Sequence, residues 1–142
     1  MLAQLLIAFA LMSLCVAIHA VGLASALRYL RRWFVCAQPF WRSTGLLIVI
    51  AGCTILVHLI EITVWAVFYK WTQAMPDMNS SFYFSAVTYT TLGYGDLVLP
   101  REWRLVGGIE ALTGILMCGW STAFFFAVVS RMYQTQSNSE QD

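Results

Sequence analysis

Thr90-Thr91-Leu92-Gly93-Tyr94-Gly95-Asp96 lies between two long apolar segments and directly after a short one. Hydrocarbon forbids irregular backbone, because an unpaired N–H or C=O there costs several kcal/mol. The exception is backbone buried in protein or lining a water-filled path. Gly93 and Gly95 alternate with larger residues, and only glycine takes positive φ without steric cost. That alternation lets successive carbonyls point the same way, where a strand would send them to opposite sides. A ring of such segments offers stacked layers of carbonyl oxygens that can replace the hydration shell of a monovalent cation. The plainer alternative is a glycine-rich turn between two helices, but a generic turn does not need this order of residues.

The composition around the stretch is that of an integral membrane protein. Of 142 residues, 60% are hydrophobic and 11% charged, far from a soluble average. The length allows one domain. A net charge of +1 implies no nucleic-acid or acidic partner. Cys15, Cys36, Cys53 and Cys118 have no Cys-x-x-Cys spacing and read as small hydrophobes, not as a disulfide or zinc framework. No constellation of nucleophile, base or metal ligands suggests an enzyme, and no cofactor is expected.

Outward from the loop, the chain divides into three spans. Ala3 to Leu27 carries no charge and at about 1.5 Å per residue crosses a ~30 Å core with some tilt. A signal peptide is the rival, since Ala24-Ser25-Ala26 mimics a cleavage site. The charge-free N-terminal region and the long apolar run argue against it. His19 stands alone on its face and reads as a packed or hydrogen-bonded residue, not a ligand. Arg28, Arg31, Arg32 and Arg42 follow, interleaved with aromatics, as an interfacial segment near anionic lipid headgroups. A voltage sensor needs several arginines inside the field, whereas these cluster at its edge. Pro39 prevents one continuous helix through this linker.

Thr44 to Tyr69 is the second span, with His58 and Glu61 three apart and able to pair. Pro76 and Asp77 favour a turn. Asn79 or Ser80 can then cap a helix running to about Thr90, at roughly 16 Å too short to cross the membrane. Leu105 to Val129 is the third span, with Gly107, Gly108, Gly114 and Gly119 allowing close helix contact. Gln134 to Asp142 is polar and expected to be disordered.

The seven residues of the loop closely resemble the selectivity filter of pore-loop potassium channels, and Thr44 to Arg131 resembles their two-helix pore. The resemblance implies an all-α membrane protein of three transmembrane helices, with a re-entrant pore helix and filter between the second and third. It implies that K+ meets the Thr91 hydroxyl and the carbonyls of Thr91, Leu92, Gly93 and Tyr94, with Gly95 completing the filter beside Thr90 and Asp96. Leu92 departs from the commoner valine or isoleucine; this alters bulk behind the filter, not the carbonyl offered to the ion. It also implies a hinge glycine, for which Gly114 is placed with Gly119 as a second. Packing alone explains Gly114 equally well. Where some of these pores carry a pore-helix glutamate, this chain has Val87, and Tyr83, thirteen residues before Asp96, is positioned to donate to Asp96 instead. One chain supplies one filter strand, so closed symmetry is required; the resemblance implies a homotetramer of this chain with three further copies.

Two carboxylates fall inside spans, where ionisable groups are costly and default to function. Glu61 lies about 14 Å and Glu110 about 9 Å below the interface marked by Lys70 and Arg104. Both are expected to support the pore helix or filter from behind, with His58 as the partner of Glu61; Glu110 merely packed in protonated form is the alternative. Basic residues orient the chain. Four arginines in the first linker and Arg131 oppose Lys70, Arg101 and Arg104, which puts the N-terminus outside and the C-terminus in the cytoplasm. The domains expected are 1–43 (first helix and basic linker), 44–131 (pore) and 132–142 (disordered tail). The function expected is a K+-selective channel subunit of the cell membrane. A weakly selective cation channel or a non-conducting accessory subunit are the alternatives. No soluble ligand-binding domain after the third span and no voltage sensor before the second are expected.

Overall fold

A chain crossing hydrocarbon must satisfy its backbone within each segment, and three segments here are helices long and apolar enough to do so. The computed structural model describes residues 2–30 and 40–139. Helix α1 spans Leu2–Leu30, α2 Phe40–Trp71, the short α3 Met78–Tyr89, and α4 Arg104–Ser139 after a single 3-10 turn at Arg101–Trp103. No strand occurs among the described residues. Arg31, Arg32, Cys36 and Pro39, all part of the basic linker, lie outside them.

Three boundaries differ from the sequence expectation. The second helix begins at Phe40, four residues before Thr44. The fourth runs on to Ser139, so residues 132–139, expected to be disordered, are helical. Neither glycine nor proline occurs between Arg131 and Ser139 to stop the helix. The third difference is the cap of α3. Asp77, not Asn79 or Ser80, is the N-cap, in extended conformation (φ −147°, ψ 170°). Its Oδ1 accepts the Ser80 N–H at 2.9 Å and its Oδ2 accepts the Ser80 hydroxyl at 2.7 Å, which places Ser80 at the third helical position where a cap side chain reaches. Both bonds hold the Asp77 carboxyl below the usual carboxylate range, the backbone one most. Lys70 Nζ closes the preceding turn on the Pro76 carbonyl at 2.8 Å.

Helix α3 packs against α2 and α4, and α1 covers both of those helices. Two apolar clusters form the core. One gathers Cys15, Ile62, Trp65, Tyr69, Tyr89, Val106 and Met117 around α3; the other joins Leu23, Leu30, Leu46, Ile50, Phe124 and Val128 at the far end. A polar layer of His19, Glu61 and Ser121 lies between them, all buried. The side-chain amide of Gln4 donates to the Glu102 carbonyl at 2.6 Å, so the start of α1 stands at the same end of the bundle as the loop after α3. In the most apolar window of each span only 17%, 22% and 33% of residues are buried by this chain. The remaining apolar faces are left for lipid or for other chains.

Candidate functional site

The 90–96 loop begins by consuming the orphan carbonyls at the end of α3. The Thr90 N–H donates to Ala86 O, Thr91 to Thr88 O at 2.9 Å, and Leu92 and Gly93 both to Val87 O at 3.0 and 3.2 Å. The backbone then enters the left-handed region at every second residue: Thr91 at φ 60°, Gly93 at 56° and Gly95 at 78°. For the two glycines this conformation carries no steric cost. For Thr91 it does, at about 1–3 kcal/mol, and strain of this kind clusters at functional sites. A β-branched residue gives no signal of its own for positive φ, so only its spacing from Gly93 and Gly95 marks Thr91 as a third member of the alternation. Thr91 to Asp96 are all exposed on the single chain.

Behind the loop, the Tyr83 hydroxyl donates to Asp96 Oδ2 at 2.8 Å. The carboxylate that accepts its proton raises the Tyr83 pKa above the ordinary tyrosine value. A cavity of about 120 Å³ separates α3 from the loop, lined by Tyr83, Val87, Thr88, Gly93, Gly95 and Asp96. Polar groups and room for water meet there.

Each buried carboxylate bonds one residue of α3. Glu110 Oε1 accepts the Ser85 hydroxyl at 2.5 Å and its Oε2 accepts the Tyr69 hydroxyl at 2.6 Å, tying α4 to α3 and α2. Ser85 Oγ also lies 2.9 Å from the Ile62 carbonyl. One turn further along α3, the Tyr89 hydroxyl donates to Glu61 Oε2. Buried carboxyls and hydroxyls in apolar surroundings stay only where they find partners, and here α3 supplies one partner to each carboxyl.

The pair expected at Glu61 is present, with a second partner beside it. His58 Nδ1 stands 3.5 Å from Glu61 Oε2, but His19 Nδ1 is closer, 3.0 Å from Oε1. His19 is therefore not isolated. Helical spacing reveals which residues share a face of α1, whereas its neighbour across the interface depends on tertiary packing. Of the two candidate hinge glycines, Gly114 is a contact point: a Cβ there would stand 1.8 Å from the Tyr89 carbonyl oxygen. At Gly119 a Cβ meets nothing within 4 Å. The aromatic residues around α3 divide similarly. Tyr89 is buried and Phe84 packs edge-on against Tyr69 at 5.3 Å, while Phe82 and Tyr83 are exposed on the single chain.

Comparison with known proteins bears on this arrangement. Residues 46–131 match the family model described as "Ion channel". The chain is also similar to the potassium voltage-gated channel protein Shal of Drosophila melanogaster, 31% identical over 65 residues. That stretch is 45% of this chain and 11% of the Drosophila protein, so the chain spans a small part of that relative's length. No solved structure matches the chain. The family match takes in α3, the 90–96 loop and most of both flanking helices, more than half of the sequence: the chain belongs to the ion-channel family of pore-loop potassium channels.

Proposed function

We propose that four copies of this chain surround one axis and conduct K+ passively and selectively across the cell membrane. The observation that carries the reading is the recurrence of left-handed backbone at Thr91, Gly93 and Gly95 within Thr-Leu-Gly-Tyr-Gly. Carbonyls brought to one side of each loop would line the axis when four loops face one another. In this reading K+ is held by the Thr91 hydroxyl and the carbonyls of Thr91, Leu92, Gly93 and Tyr94. Gly95 and Asp96 finish the outer mouth, and Thr90 joins filter to pore helix. No chemistry is performed on the ion and no cofactor is needed.

Helix α3 is then the re-entrant pore helix, entering from outside, with its negative C-terminal end towards the arriving cation. Glu61, Glu110 and Tyr83 support it and the filter through the bonds described above. The N-terminus lies outside and α4 ends in the cytoplasm. The contact between Gln4 and Glu102 supports a common side for the N-terminus and the filter. Arg28 and Arg42, both exposed, meet anionic lipid on the opposite side, together with Arg31 and Arg32. Gly119 is the freer candidate for a gating hinge, since Gly114 is occupied by packing.

The test is flux into liposomes reconstituted with the purified protein. Potassium-selective, barium-sensitive flux from a tetramer is expected. Comparable sodium and potassium flux would replace the proposal with a weakly selective cation channel. A monomer or dimer without flux would replace it with an accessory subunit.

A further inference from the structure

The polar layer between the two apolar clusters is a closed ring. His19 Nε2 lies 3.1 Å from Ser121 Oγ, and Ser121 Oγ 3.0 Å from His58 Nε2. His58 Nδ1 is 3.0 Å from the Tyr89 hydroxyl, which bonds Glu61 Oε2, and Glu61 Oε1 returns to His19 Nδ1 at 3.0 Å. Four elements contribute: α1, α2, α3 and α4. These five contacts need one hydrogen each. With Glu61 ionised, the neutral imidazoles, the serine and the tyrosine supply four. The ring is one hydrogen short, a gap that a bound cation can fill.

We propose that His19 Nδ1, His58 Nδ1 and a Glu61 carboxylate oxygen form a binding site for a divalent transition-metal ion of zinc's class. The three ligand atoms lie within 4.8 Å of one another. Ligands of a four-coordinate ion at about 2.0–2.2 Å stand roughly 3.3 Å apart, so small side-chain movements close the site. The surroundings suit a metal. Both imidazoles turn Nε2 towards the same hydroxyl, and Ser121 Oγ has two lone pairs with which to accept both N–H groups. That leaves the His19 Nδ1 lone pair facing Glu61 Oε1 at 3.0 Å and the His58 Nδ1 lone pair between the Tyr89 hydroxyl at 3.0 Å and Glu61 Oε2 at 3.5 Å, while Tyr89 donates to Oε2. Outer partners of this sort fix ring orientation in metal sites. Two imidazoles and one carboxylate select the zinc class over K+, Mg2+ or Ca2+, which prefer oxygen. Three protein ligands leave a fourth position open.

The site gives α1 a task. Helix α1 precedes the region matched by the family model, and the ion would fasten it to α2 beside Tyr89, the last residue of α3. Metal occupancy is read without any flux measurement, so this inference and the channel proposal stand or fall separately.

The test uses the full chain in detergent, stripped with chelator and titrated with Zn2+ or Co2+. One ion per chain is expected, with the visible absorption of four-coordinate cobalt and a metal-dependent rise in thermal stability. His19→Ala and Glu61→Gln abolish it, and Ser121→Ala weakens binding about 10–100-fold. Cys53→Ser, exposed and not a member of the ring, leaves it intact. Absence of stoichiometric binding by the unmodified protein overturns the proposal even if the variants fail to fold. So does unchanged binding by His19→Ala. Stability that depends on pH but not on metal also overturns it, since a proton then closes the ring.

Discussion

Replacing Gly114 by alanine tests the packing of α3 on α4 at one atom. The new methyl carbon would stand 1.8 Å from the Tyr89 carbonyl oxygen and 2.7 Å from its carbon. A comfortable C···O approach is about 3.3 Å, so one backbone must retreat by roughly 1.5 Å. Both partners are backbone, and Tyr89 is also held by its bond to Glu61, so no flexible side-chain end can yield. Overpacking costs typically ~1–3 kcal/mol. With no give on either side we expect the upper end, about 3 kcal/mol, or about a hundredfold in the folded-to-unfolded ratio. Gly119→Ala is the matched control, because a Cβ there meets nothing within 4 Å; alanine is also the better helix former by ~1 kcal/mol. Thermal unfolding of the two variants beside the unmodified protein in one detergent decides the matter. A Gly114→Ala protein as stable as the parent, or a Gly119→Ala protein equally damaged, refutes the reasoning.

Three further outcomes follow from the polar contacts. Glu110→Leu removes both acceptors; Ser85 still has the Ile62 carbonyl, but the Tyr69 hydroxyl loses its partner, which costs about 1–3 kcal/mol, and unchanged unfolding temperature and ion current would remove the supporting role of Glu110. The raised pKa of Tyr83 means that its bond to Asp96 contributes fully below the ordinary tyrosine value of about 10 and is lost as pH climbs through the raised one. Tyr83→Phe loses the bond at every pH, and currents that inactivate as in the parent would count against a role for it. The lowered pKa of Asp77 works in the opposite sense: its cap is fully present above about pH 3.9 and is lost as pH falls through the lowered value. Asp77→Asn preserves a cap and Asp77→Ala removes it. Amide hydrogen exchange over Met78–Ser81 should separate them, and equal protection would show that the cap is idle.

Much of the architecture can be read from the residues, and what escapes has physical causes. Three charge-poor stretches and one short helix follow from hydrophobic length alone. The separation of Tyr83 from Asp96 suggests their contact because a helix end and a loop of fixed length return one towards the other. The capping residue escapes because Asp77, Asn79 and Ser80 share the same cap chemistry, and only the backbone angle of Asp77 distinguishes them. That His19 is packed and hydrogen-bonded can be read from the sequence, but its partner Glu61 escapes because a residue on another helix leaves no mark on the periodicity of its own. The left-handed Thr91 could be found only by counting back two residues from Gly93 and Gly95. The helical continuation beyond Arg131 was masked by polar composition, although nothing between Arg131 and Ser139 breaks a helix.

The exposure of the loop has a consequence for the cell. Leu92 and Tyr94 are 57% and 65% exposed on one chain, and Thr91 is held in a strained conformation chiefly by bonds to the end of α3. In the tetramer we propose, the other side of each loop gains its restraint only from neighbouring copies. A chain newly inserted in the membrane then has half a mould and no pore. In that assembly the path for ions comes into being only with the last subunit to arrive.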